Sequence, residues 1–148
     1  MELLKINLRP RDIVTLKSLQ NAAMVVAATG GSTNAALHLP AMAHEAGIEF
    51  DLFDVCDIMR KTPYIADMKP GGKYVAKDMF DVGGVSVVLK ELLKGGYLHG
   101  DCITVTGKTI EQNLADTVLT PNQDVIRSID TPISITGGVV GLKGNLAS

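Results

Sequence analysis

Apolar residues recur at helical spacing in four stretches of the chain and alternate in one. Leu16, Leu19, Ala23, Val26 and Ala27 predict a helix from Leu16 to about Thr29, with Thr15 as its cap. A second run, about Thr33 to Ala46, is apolar on nearly every side and is expected to be buried. Pro40 removes a backbone donor inside it and predicts a kink near 36–40, and Gly47 ends it. Asp51 opens a third helix to about Arg60, striped by Leu52, Val55, Cys56 and Met59, which places Cys56 in the core. Thr62-Pro63 closes it, because the residue before proline avoids the helical region. Lys77 to Val82 reads as one short turn. Gly83-Gly84 separates it from a helix at Val85–Lys94, buried by Leu89, Leu92 and Leu93 and capped by Gly95-Gly96. The alternating stretch, Cys102 to Thr106, is β-branched and predicts a strand. Thr109 and Gln112 form a capping box for a helix through about Ala115. Met1 to Val14 reads as an irregular lead-in with a turn at Arg9–Asp12. Val139 to Leu146 reads as a short strand or the start of a hairpin.

Between the first two helices stands Thr29-Gly30-Gly31-Ser32-Thr33-Asn34. Two glycines allow close approach of a partner to the main chain, and three small polar residues can cap the next helix. The first turn of that helix carries free N–H groups and partial positive charge, so a carboxylate or phosphate can dock there. The same residues also make an ordinary helix–turn–helix joint, and local pattern does not separate the two. His38 follows Asn34 by one turn and is kept as a site candidate beside Gly31, Ser32, Thr33 and Asn34. His44 lacks the i, i+4 relation of a helical zinc pair to His38, and both are expected as structural histidines on a buried helix.

Composition narrows the function classes. The chain has 148 residues, 46% hydrophobic and 20% charged, about one globular domain. A net charge of -2, no basic cluster and no Trp give no footprint for nucleic acid. No apolar run approaches the roughly 20 residues that cross a bilayer, and the first residues do not read as a signal peptide, so no membrane partner is expected. Cys56 and Cys102 form no C-x-x-C pair. They fit a reducing cytoplasm and cannot alone build an iron–sulfur or zinc site, so no metal ligand is assigned. Lys69 and Lys73 lie in a glycine turn and read as solvated. Gly107-Lys108-Thr109 after a strand invites comparison with a phosphate-binding loop, but Cys102 stands where that loop needs its first glycine, so nucleotide hydrolysis is rejected.

Several motifs in order resemble one family. Gly30-Gly31-Ser32-Thr33-Asn34-Ala35 with Leu37-His38-Leu39, Ala43-His44-Glu45-Ala46-Gly47, and Asp67-Met68-Lys69-Pro70-Gly71-Gly72-Lys73-Tyr74-Val75 are similar to dihydroxy-acid dehydratases. So are Leu98-His99-Gly100-Asp101-Cys102 with Ile103 to Thr109, Pro132-Ile133-Ser134, Gly137-Gly138 and Leu142 to Ala147. The resemblance runs from about Arg9 to Ala147, and the Thr104–Thr109 run favours the branched-chain biosynthetic members over sugar-acid and phosphogluconate dehydratases. It implies a hydro-lyase that removes water from 2,3-dihydroxy acids to give 2-keto acids. The resemblance further implies an iron–sulfur cluster that acts on the leaving hydroxyl, a Mg²⁺ ion that holds the carboxylate and 2-hydroxyl, and a homodimer. It places the cluster cysteines and magnesium ligands upstream of the Gly30-Gly31 motif and the catalytic serine downstream of this sequence, so no catalytic residue and no bound cofactor are expected in this chain.

The expected fold class is α/β, a helix-rich piece of a doubly wound N-terminal domain over 1–130. Residues 131–148 are expected as a linker and the first strand of a following β-rich domain. The chain ends at Ser148 without a cap and reads as an interior piece of a longer enzyme, inactive by itself. The other readings are a standalone non-catalytic domain that binds an organic anion or dimerises, and a fragment of a related sugar-acid dehydratase.

Overall fold

The computed structural model describes residues 2–146. Eight helices are formed among them: α1 (Glu2–Lys5), α2 (Pro10–Ile13), α3 (Leu16–Ala28), α4 (Asn34–Ala46), α5 (Leu52–Lys61), α6 (Ala76–Asp81), α7 (Val85–Lys94) and α8 (Ile110–Asn113). Capping chemistry fixes most of the boundaries. Thr15 and Ser18 cap each other's backbone at the start of α3, Asp51 accepts from the Phe53 and Asp54 N–H groups, and Thr109 pairs with Gln112. Gly47 closes α4 at φ +72°. At the end of α7, the Gly96 and Tyr97 N–H groups return to Leu93 and Leu92 at 3.0 Å each.

α3 is the central element, and its two faces serve two separate cores. Leu19, Ala23 and Ala27 face α4 and α5, where they meet Leu39, Ala43, Val55 and Met59. Alanines at these positions let the three helix backbones approach closely. Ala28, with Met24 and Val25, faces the second core, built from Val87, Val88 and Leu92 of α7 and from Ile65, Ala66 and Ile126. The last three come from loops, whose buried backbone must find partners. Ile65 and Ala66 both donate to the Ala28 carbonyl, at 2.9 and 3.0 Å. Arg127 donates to Ile65 at 2.7 Å, and Tyr64 to Ser134 at 2.9 Å.

Buried polar side chains tie the remaining loops down. The Asn21 amide exchanges two hydrogen bonds with the His99 backbone, donating to its carbonyl at 3.0 Å and accepting from its N–H at 2.8 Å. Glu91, almost fully buried on α7, accepts from the Ile129 N–H at 2.8 Å.

Several expectations are corrected. The lead-in is not irregular: it holds α1 and α2, and the turn at Arg9–Asp12 is a one-turn helix closed by the Arg9–Asp12 pair. α4 is only half buried. Leu39 and Ala43 face the core, while Leu37 (68%) and Met42 (49%) stand in solvent, because apolar composition buries only the face that meets a neighbour. His38 and His44 are exposed rather than structural core residues. Residues 102–106 do not form a strand: the segment folds back in a turn in which Thr104 N–H donates to the Lys108 carbonyl at 2.9 Å, leaving one isolated bridge, Ile103 to Thr109. β-branched alternation needs a lateral partner, and the Gly107 turn supplies only its own other limb. α8 stops at Asn113, short of Ala115. Residues 139–146 are also irregular, and Ala147 and Ser148 lie outside the described residues. The helix-rich character holds. Pairing outside the helices is limited, among the described residues, to isolated bridges such as Tyr64 to Ser134 and Ala66 to Ile126.

Candidate functional site

The joint between α3 and α4 is built by close packing as well as by turning. Thr29 ends α3, its hydroxyl donating back to the Val25 carbonyl at 2.9 Å. Gly30 and Gly31 follow at φ +74° and +40°. A Cβ on Gly31 would lie 2.6 Å from the Val26 carbonyl oxygen, and one on Gly30 would lie 3.0 Å from the Tyr64 ring. From behind, Gly138 presses on Gly30: a Cβ there would lie 2.8 Å from the Gly30 Cα. This contact requires glycine at 138, while Gly30 is held to glycine by its positive φ and the Tyr64 ring.

Ser32 begins the helical polarity. Its hydroxyl accepts from the Asn34 N–H at 3.2 Å, and its carbonyl accepts from Ala35 at 3.1 Å. Thr33 is already helical at φ -60°, ψ -21° and makes no side-chain cap bond, so Ser32 does the capping. Ser32, Thr33 and Asn34 are exposed and Gly31 is half-buried. The N-terminus of a 13-residue helix therefore opens to solvent, and a phenol lies against Gly30 at the start of the joint.

That phenol, Tyr64, is the residue the sequence reading missed. Burial, then the Asp67 carboxylate, pushes it above the ordinary tyrosine value, against the Met68 N–H. It stays protonated near neutrality and can donate a hydrogen bond to an oxyanion. From 70 residues further along the chain, Ser134 pairs with the Tyr64 backbone, and its hydroxyl lies 3.3 Å from that of Thr136. The only sequence signal for Tyr64 was its place after Pro63, which marks the end of α5 and says nothing of the ring's direction.

His38 is separated from the joint. It lines a shallow depression of about 530 Å³ between α2 and α4, with Pro10, Val14 and Met42, rimmed by Arg11 and Glu45. None of residues 30–34 lines it. The structure sets Gly31, Ser32, Thr33 and Asn34 in one turn, places Tyr64 against Gly30 at its start, and leaves His38 on another wall of α4.

The lookalike phosphate loop is turned inward. Gly107 N–H donates to Thr104, Lys108 N–H to the Thr106 hydroxyl and Thr109 N–H to the Gln112 side chain. The donors that would cradle a phosphate are already engaged. Cys56 and Cys102 are both free and buried, at separate places in the fold. Burial pushes the Cys102 thiol up. Among the described residues no helix is long and apolar enough to cross a membrane.

Comparison with known proteins places these features in a family. Residues 1–113 match the family described as dihydroxy-acid/6-phosphogluconate dehydratase N-terminal. The chain is 69% identical over 147 residues to dihydroxy-acid dehydratase 2 of Bradyrhizobium diazoefficiens, covering 99% of this chain and 26% of that protein. Identity is 67% over 146 residues to dihydroxy-acid dehydratase of Pelagibacter ubique, covering 99% and 26%. It is 52% over 147 residues to that of Roseiflexus castenholzii, with the same coverage. The chain spans about a quarter of the length of the curated relatives it matches. With more than half its length matched by the family and close relatives across nearly all of it, this chain belongs to the dihydroxy-acid/6-phosphogluconate dehydratase family.

Proposed function

We propose that this chain is the N-terminal-domain portion of a dihydroxy-acid dehydratase, a hydro-lyase converting branched 2,3-dihydroxy acids to 2-keto acids. The 69% identity to a relative bearing that name carries the reading. The joint Gly31-Ser32-Thr33-Asn34 then binds the substrate carboxylate. The helix end supplies positive potential, and the Ser32 and Thr33 hydroxyls with the Tyr64 phenol supply the donors, the Asn34, Ala35 and Ala36 N–H groups being engaged within the turn. Fixing the carboxylate matters because loss of water requires the hydroxyl and the neighbouring C–H to be held in one geometry. His38 faces the α2–α4 depression, apart from the joint, and in this reading takes no part in holding the carboxylate.

The helices described here form the outer layer of a doubly wound α/β domain, with a boundary to the next domain near residue 130, and the whole enzyme is a cytoplasmic homodimer. The described residues do not fit an iron–sulfur cluster or a magnesium site: Cys56 and Cys102 are apart, and no three His, Cys, Asp or Glu side chains gather. No step through those groups is assigned to this chain, and turnover needs the remaining parts of the longer protein.

A chimera tests the reading. The matching residues of the Bradyrhizobium relative are replaced by this sequence, and 2-keto acid formation is followed from a branched 2,3-dihydroxy acid and from a sugar acid. Activity on the branched acid, with Ser32→Ala plus Asn34→Ala raising KM about tenfold and moving kcat less, is the expected result. A chimera active only on the sugar acid overturns the substrate class. Unchanged KM in the double variant overturns the carboxylate site.

A further inference from the structure

Three stretches lie side by side in the second core, and the innermost of them leads into the joint. Ile65 and Ala66 both donate to the carbonyl of Ala28, the last residue of α3, two before Gly30. On their other side Arg127 donates to the Ile65 carbonyl at 2.7 Å, and Asp67 to the Val125 carbonyl at 3.0 Å. Residues 125–127 belong to no helix, so side chains must fix them. At one end the Gln123 amide does so, accepting from the Ile126 N–H at 2.9 Å and donating to its carbonyl at 2.6 Å. At the other end α7 supplies a socket. Glu91, 5% exposed, accepts from the Ile129 N–H at 2.8 Å, and Lys94, one turn on, donates to Asp130 at 2.5 Å. Gly95 leaves room for the Ile129 side chain: a Cβ there would lie 2.6 Å from Ile129 Cγ1. Burying a carboxylate is costly unless it is hydrogen-bonded, and the bond made here ties α7 to a different segment.

We infer that Glu91 is a positioning residue for the α3–α4 joint. It holds Ile129, which fixes residues 125–127 against 65–67. That strip in turn fixes the Ala28 end of α3 and the backbone from which the Tyr64 ring reaches Gly30. Each link is a backbone hydrogen bond in buried surroundings, so a displacement at Ile129 passes inward rather than being absorbed by a loose side chain. What this does to turnover rests on the carboxylate reading of the joint; the mechanical coupling does not.

The full-length chimera is the molecule to test. Amide hydrogen exchange is read by mass spectrometry in peptides covering residues 28–36, 63–67 and α5, and KM is measured alongside. Glu91→Ala is expected to speed exchange about tenfold at 28–36 and 63–67, leave α5 unchanged, and raise KM about fivefold with kcat moving less. Glu91→Gln keeps an oxygen for the Ile129 N–H and is expected to bring both readouts back to within about twofold of the parent chimera. Gly95→Ala drives a methyl onto Ile129 from the apolar side of the socket. It should give smaller changes of the same kind, and it serves if Glu91→Ala does not fold. Asn21→Ala, which loosens α3 from the His99 loop, is the structural control and should leave exchange at 28–36 and KM alone. Unchanged exchange at 28–36 in both socket variants overturns the inference, whatever the joint binds. So does a rise shared equally with α5, or one that Asn21→Ala reproduces. Faster exchange at the joint with KM unchanged bears the coupling out and overturns the carboxylate reading instead.

Discussion

Replacing Gly31 by alanine separates two reasons for a glycine at the α3–α4 joint. At φ +40° an L side chain costs roughly 1–2 kcal/mol. The new methyl would also stand 2.6 Å from the Val26 carbonyl oxygen and 2.5 Å from Val26 Cγ1. Cγ1 can rotate away. The carbonyl cannot, because it belongs to the last turn of α3 and accepts from the Thr29 hydroxyl at 3.3 Å. Forcing a methyl against fixed backbone adds about 1–3 kcal/mol. Stiffening of the unfolded chain returns about 0.4–1 kcal/mol. The net loss is about 2–4 kcal/mol, a large share of the 5–15 kcal/mol typical of a domain. Gly47 is the matched control: it also has positive φ, +72°, but nothing lies within 4 Å of a Cβ there. Gly47→Ala therefore carries the conformational part alone, about 1 kcal/mol. In equilibrium urea unfolding followed by circular dichroism, an m-value of about 2 kcal/mol/M turns this difference into a midpoint about 0.5–1.5 M lower for Gly31→Ala. Equal midpoints for the two variants, at unchanged slope, would refute the close approach and leave Gly31 with only a turning role.

Asn21→Ala leaves the His99 N–H and carbonyl without their partner in a part-buried site, and a loss of about 2–3 kcal/mol is expected in the same urea assay. Asn21→Asp keeps the acceptor and loses the donor, so it should fall between Asn21→Ala and wild type; a neutral Asn21→Ala would mean the pair contributes nothing net. The Arg9 guanidinium, which bonds the Asp12 carboxylate, holds it down from 3.8 to about 2. A carboxyl depressed in the folded state contributes stability that is present above its ordinary value and is lost as pH falls toward 2. Carboxyl NMR titration should find the Asp12 midpoint near 2 in wild type and higher in Arg9→Gln, still below the ordinary carboxylate range because the backbone N–H of residue 9 keeps its bond to Asp12; no difference between the two would remove the pair.

What the sequence made legible was the part governed by neighbours along the chain. Thr15, Asp51 and Thr109 each bind N–H groups two or three residues on, so the starts of α3, α5 and α8 could be read directly. α7 was placed at its observed ends for the same reason, with glycines on both sides. Misreadings came wherever a residue depends on something distant. Leu37 and Met42 looked like core because their composition was apolar, yet both are exposed on a helix that buries only Leu39 and Ala43. Thr104 and Val105 looked like strand, but strand character depends on a partner that local alternation does not specify. Nothing in the local pattern marks Glu91, although its carboxylate secures Ile129, 38 residues away. At the candidate site, the capping residues were legible and Tyr64 was not, because the ring reaches Gly30 across 34 residues of chain.

The two-faced packing of α3 bears on how this part of the family can change length. An α-helix advances about 100° per residue. Inserting or deleting a single residue within α3 would turn Ala28 out of the core it shares with Ile65 and Val88 while Leu19 and Ala23 kept theirs, and no rigid shift of the helix satisfies both. Either core alone would tolerate a change of length by letting its helix slide. Held between two, α3 acts as a ruler of fixed length. Length variation among relatives should therefore fall in the loops, such as residues 116–124, and stay out of Leu16–Ala28.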